Sequence, residues 1–199
     1  MTVVVGLDLA AVEHRPTGLC VLCDMKVETC LVFTDEEILR RTYENHPQVV
    51  AIDAPLSLPA GRESIEQKTD VHFRDCDKEL LRRGIKFFPV TLGPMRKLTT
   101  RGIALRRIFE GKHTRVIEVY PGGAQDVFGI PRKQRGLKPL KDGLEKLGIE
   151  ELNDRMSDHE LDAVTCALVG KMLLEGRAVA YGTPEQAIIM PGGEVEDSL

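Results

Sequence analysis

The chain has 199 residues, 42% of them hydrophobic, and 27 Lys and Arg against 31 Asp and Glu give it a net charge of −4. That length supports one sizeable core rather than two, and the apolar content excludes a disordered chain. The slightly acidic balance excludes a basic protein that coats nucleic acid, while leaving room for one local cationic face.

Val3-Val4-Val5-Gly6-Leu7 is a β-rich run ending at Asp8. It has no charged leader, and Asp8 interrupts it, so no signal peptide is expected. Nor does any stretch approach the length needed to cross a bilayer. Two further runs, Leu19 to Leu22 and Val27 to Phe33, complete an antiparallel meander. The five cysteines, Cys20, Cys23, Cys30, Cys76 and Cys166, read as reduced thiols of a cytoplasmic protein. Cys20 and Cys23 would point to opposite faces of their strand, and no second pair completes a zinc site. Thr34 caps a helix that runs to about Asn45. Val49 to Asp53 is a fourth strand, stopped by Ala54-Pro55.

Two helical stretches follow, about Asp70 to Arg83 and Lys97 to Glu110, and then a fifth strand, Val116 to Val119. Ser157 and Glu160 form a capping box for a last helix whose buried stripe is Leu161, Val164, Leu168 and Met172. A short apolar run, Ala187 to Met190, precedes an acidic end expected to fray. Strands four and five, apolar and separated by helices, favour parallel pairing. The expected architecture is a mixed α/β fold. It has a five-stranded sheet, antiparallel meander plus parallel strands, with helices on both faces. Residues 1–199 form one domain, with a helical insertion at about 84–114 and a basic loop at about 122–147.

Three strands deliver a carboxylate at or near their ends: Asp8, Asp53 and Glu118. In an open α/β sheet ligands sit at the carboxyl ends of the strands. Converging there, the three acids would repel one another, and a hard divalent cation such as Mg²⁺ or Mn²⁺ would remove that conflict. Each acid alone also reads as a turn residue bonding nearby backbone. On the last helix Asp158 and Asp162 share a face, and Asp162, among apolar neighbours, needs a partner, either an arginine or the same metal. His159 is read first as a solvent-facing histidine, with a role in orienting water or phosphate as the alternative.

GLDLA, IDAPLSLP, RDCDKELL, EVYP and DHELDAVTCALVG occur here in the order of the family called domain of unknown function 429. The chain resembles that family from Val3 to about Pro191. The resemblance implies a ribonuclease-H-like fold and a nuclease that uses divalent metal. By similarity to superfamily nucleases and junction resolvases, it implies Asp8 as the principal metal ligand and Asp53 as the second. Asp162 or Asp158 would follow from the last helix, and Glu118 matches an E-x-x-P motif. Resolvases commonly place the two helix acids three apart. Here Asp158 and Asp162 are four apart, and His159 holds the three-apart position.

A nuclease acting on nucleic acid needs a cationic route for its substrate. Two stretches qualify: Arg96, Lys97, Arg101, Arg106 and Arg107, then Arg132, Lys133, Arg135, Lys138 and Lys141. Arg132, Lys133, Lys138 and His159 are the substrate candidates, with a solvated charged surface as the plainer reading. Arg74, Asp75 and Asp77 read first as a structural ion-pair group. Aromatic residues are scarce, so no stacking platform for a single strand is expected. An actin- or sugar-kinase-like phosphoryl-transfer protein shares this topology, but the chain lacks a phosphate loop. A non-catalytic interaction protein retaining the fold is the other alternative. Nothing in the sequence speaks to oligomeric state.

Overall fold

The computed structural model describes residues 1–192. The acidic end read from the sequence as frayed lies outside them. Strands β1 (Val3–Asp8), β2 (Thr17–Cys23) and β3 (Lys26–Val32) form the antiparallel meander. Helix α1 (Asp35–Glu44) follows, held by the Thr34 capping box, and leads into β4 (Val49–Asp53). Next come α2 (Asp75–Arg82), α3 (Gly93–Gly111), β5 (Val116–Val119) and α4 (Pro121–Val127). A 3₁₀ turn (Lys133–Arg135), α5 (Leu137–Lys146), α6 (Asp158–Leu174), β6 (Ala178–Tyr181) and β7 (Ile188–Pro191) complete the order.

The strands make one sheet in the order β3-β2-β1-β4-β5-β7-β6. β1, β4, β5 and β7 are parallel, as the apolar character of β4 and β5 predicts for strands covered on both faces. Two strands exceed the five expected. β7 pairs with β5 and with β6, each of these two strands is four residues long, and β7 ends on Pro191. Runs that short show no measurable alternation, and a terminal proline argues against a strand. The basic segment, expected as a loop with short helical pieces, carries α4, the 3₁₀ turn and α5.

Strand alternation sorts the core into two layers. Val4, Val49, Ala51 and Ile117 face α6 and α5, whereas Val5, Leu7, Val50 and Ile52 face Ile38 of α1 and Leu105 and Phe109 of α3. α3, placed by the sequence in an insertion, thus covers one face of the sheet. α6 is buried all round from Leu161 to Gly170, beyond the single stripe expected, because the sheet lies on one side and α4 and α5 on the other.

The approach of α6 to β1 is set by glycine. A Cβ on Gly6 would stand 2.1 Å from the Ala163 carbonyl oxygen, and one on Gly18 would stand 2.1 Å from that of His159. Both obstacles are backbone, which cannot rotate away. Gly6→Ala therefore forces β1 and α6 apart and should cost at least about 1–3 kcal/mol. A melting temperature of Gly6→Ala equal to that of wild type would contradict this packing.

Candidate metal centre

Register decides which strand-end acids meet. Asp8 of β1 and Asp53 of β4 are direct partners in the parallel ladder, and Gly6–Ala51 and Val4–Val49 below them face α6. Side chains alternate with period two, so both carboxylates point to the α6 side of the sheet. Glu118 of β5 pairs with Ile52 rather than with Asp53, so its side chain projects from the opposite face.

Helix α6 brings the remaining groups. Ser157 caps it, accepting from the Glu160 backbone N–H while the Glu160 carboxylate accepts from the Ser157 N–H at 2.9 Å. The missing side chain at Gly18 admits its first turn to the end of β1. There the His159 Nδ1 lies 2.6 Å from the Asp8 Oδ2. That hydrogen bond raises the His159 pKa above the ordinary imidazole value, against partial burial. His159 is therefore the partner of Asp8, where the sequence placed it first in solvent.

Asp162 lies one turn deeper and is buried. The Gln125 side-chain amide donates to its Oδ1 at 2.7 Å, and the Lys133 ammonium lies 2.8 Å from its Oδ2. The same ammonium is 3.4 Å from the Asp158 carboxylate. Burial pushes the Asp162 carboxyl up, with Lys133 opposing. Burial pulls the Lys133 ammonium down, but Asp162, Asp8 and Asp158 outweigh it and hold it above its usual range. Asp53 forms no ion pair among the described residues. Burial first, and then the charges of Asp8 and Asp162, push it well above the usual carboxylate range.

Glu118 departs from the expected cluster. Arg74 grips it with two nitrogens, at 2.6 and 2.7 Å, and the Leu56 N–H donates to it at 2.8 Å. Arg74 also binds Asp77, whose carboxylate accepts from the Arg74 backbone N–H and so starts α2 at Asp75 rather than near Asp70. Glu118, Arg74 and Asp77 are all buried and satisfy one another. A carboxylate with its own arginine has no need of a metal, so Glu118 is corrected from ligand to structural brace.

The cationic candidates also divide. Lys133 and His159 stand at the acids. Arg132 instead binds Asp126 at 2.9 Å and lies over the Tyr120 ring, while Lys138 pairs with Asp142 at 3.0 Å on the surface. Arg96, Arg101 and Arg106 are paired with Glu66, Asp35 and Glu110, and Lys141 with Glu145 and Asp154. Much of the expected cationic route is thus neutralised within the chain. Gln125 was invisible to sequence reasoning, since a lone glutamine carries no signal. His159 had one, its place three residues before Asp162.

Among the described residues, no group of three His, Cys, Asp or Glu side chains is placed so that it could hold a metal ion as it stands. What the site offers is hard oxygen donors, Asp8, Asp53 and Asp162, beside one imidazole. Those donors suit a divalent cation with oxygen preference. Asp53, whose charged form burial and the neighbouring acids disfavour, is the group whose ionisation such a cation would support.

The sequence pattern of the family described as "Protein of unknown function (DUF429)" matches residues 6–106. No curated protein matches the chain. Among solved structures, the RuvC of T. thermophilus in complex with a Holliday junction substrate is similar, at 15% identity and a TM-score of 0.53, over 88% of this chain and 97% of that one. A second Thermus thermophilus RuvC structure matches at 13% identity and a TM-score of 0.51, over 95% and 100% of the two chains. The shared fold is ribonuclease-H-like.

Two outcomes follow from the charges. Because the Asp53 carboxyl titrates higher in the folded than in the unfolded chain, the folded chain binds more protons across that window, and metal-free stability falls as pH rises through it. Asp53→Asn should flatten this dependence and raise the metal-free melting temperature at neutral pH, by about 2–4 °C for each kcal/mol of repulsion removed. A lower melting temperature for this variant would show that Asp53 is already compensated. Glu118→Gln should instead destabilise by about 3–5 kcal/mol, as removing one partner of a buried pair does. Denaturant unfolding measures this, and a near-neutral result would contradict the brace.

Proposed function

The chain belongs to the DUF429 family, and from its fold and its strand-end acids we propose that it is a divalent-metal-dependent nuclease that hydrolyses phosphodiester bonds. One observation carries this. Asp8 and Asp53 are in register on the same face, next to the buried Asp162, and among the described residues Asp53 forms no ion pair. Burying unpaired like charges is costly, and sites that do so are the ones expected to recruit a ligand.

Asp8, Asp53 and Asp162 would hold the metal, for which Mg²⁺ or Mn²⁺ is the natural occupant, and Asp158 would lie beside it as a further acid. When bound, the metal would stabilise charge on the phosphodiester and make water a better nucleophile. The chain's own groups do the rest. The imidazole of His159, oriented by Asp8 through Nδ1, leaves its other nitrogen for proton transfer. Lys133 carries positive charge beside Asp162, where a phosphate oxygen could share it with the carboxylates. No side chain is required as a covalent nucleophile.

Nucleic acid is the proposed substrate class, supported by the Holliday junction bound to the T. thermophilus protein of the same fold. Among the described residues no helix is long and apolar enough to cross a membrane. The five cysteines are free, and we place the protein in the cytoplasm on that ground.

Thermal denaturation with Mg²⁺, Mn²⁺ or Ca²⁺, on wild type and Asp8→Asn, tests the metal. At a hundredfold excess over Kd, the gain is about 2.7 kcal/mol, or roughly 5–10 °C for a chain of this size. The substitution should remove that gain and, with it, Mg²⁺- or Mn²⁺-dependent cleavage of branched DNA, RNA–DNA hybrid or RNA. Equal responses of the two proteins, or no cleavage of any of these with metal present, would end the proposal.

A further inference from the structure

A cavity of about 460 Å³ opens beside Asp53, within the range of small-ligand sites. The chain has only 6 Phe, 3 Tyr and no Trp, yet Phe87, Phe88 and Tyr120 all line this one space. Phe87 stands edge-on to Tyr120 at 6.3 Å between centroids, and to Phe73 behind it at 6.5 Å. Val90, Met95 and Leu98 continue the apolar wall. Aromatic side chains that are scarce in the sequence are gathered here from two separate segments.

The polar groups have a definite arrangement. In the cavity wall Arg74 spends its charge on Asp77 and Glu118. Among the described residues of this wall, the cation left to meet a ligand is Lys86, which is exposed, since Arg132 is held by Asp126 and presents its guanidinium 5.6 Å from the Tyr120 ring centroid. Gln134 adds a neutral amide that both donates and accepts. Aromatic walls, one free cation and one amide describe a ligand with a flat, edge-polar body and an anionic end. A paired duplex is far too wide for such a space, whereas an extruded base fits it, and bases stack on aromatic side chains whatever their identity.

We propose that this cavity receives one unpaired nucleobase of a nucleic-acid strand, next to the phosphodiester presented to Asp53. The placement beside the cleaved bond rests on the nuclease reading above, whereas the base pocket itself does not. It directs the protein to strands with unpaired or extrudable nucleotides rather than to uniform duplex.

Phe88 is 67% exposed, so it can be replaced without disturbing the core. In the full chain, which has no tryptophan, Phe88→Trp provides a single fluorescent reporter. Without divalent metal, AMP and UMP should quench it saturably and ribose 5-phosphate should not. With a labelled single-stranded 12-mer, Phe88→Ala should weaken binding about tenfold, as loss of one stacked base does, while leaving the blunt duplex unaffected. Equal quenching by ribose 5-phosphate, or unchanged single-strand binding by Phe88→Ala, overturns the pocket. Nucleotide quenching that persists in a protein with no Asp8-dependent metal response would uphold the pocket and remove the nuclease reading. An intact metal response without quenching would remove the pocket alone.

Discussion

The backbone of β1 lies directly against the backbone of α6, and the site depends on that approach. A side chain at Gly6 or Gly18 would meet a carbonyl of α6 at 2.1 Å, so the helix can settle on the sheet only where the strands are bare. Because it settles there, its first two turns reach the carboxyl ends of β1 and β4. His159 then meets Asp8, and Asp162 is buried near Asp53, which its charge perturbs. The acids come from positions far apart in the chain, and the glycines that bring them together carry no chemistry themselves.

The two groups of buried acids are treated in opposite ways. Glu118 and Asp77 share one arginine, with backbone N–H donors completing the arrangement, so their burial is compensated within the protein. Among the described residues Asp53 has no such partner, and Asp162 shares a lysine with Asp158. Satisfied ion groups of the first kind hold elements in place, here the start of α2 and the loop after β4 to β5. Groups of the second kind keep an electrostatic deficit, and a protein retains such a deficit where something is to be bound.

Much of this could be read from residues alone. The meander, the Thr34 and Ser157 caps and the parallel pairing of β4 with β1 and β5 followed from local pattern and proline punctuation. So did the choice of Asp8, Asp53 and Asp162 as candidates. Glu118 misled because a strand-end acid looks the same on either face. Its face depends on a one-residue offset between β4 and β5, which only pairing reveals. β6 and β7 were too short to show a period, and the partners of Asp162, Gln125 and Lys133, lie on elements whose docking no local signal encodes. The aromatic cavity was hidden for the same reason, since Phe87 and Tyr120 belong to separate segments.

The burial of α6 on all sides has a mechanical consequence. A helix with one free face can roll or slide a little on its sheet, but this one is clamped between the strands and α4 and α5 from Leu161 to Gly170. Its phase cannot change without unpacking two layers at once, which fixes Asp162 against the strands that carry Asp8 and Asp53. The opposing side is built differently, since the 3₁₀ turn that carries Lys133 has no buried residue. Less packing therefore opposes a displacement of Lys133 than one of Asp162.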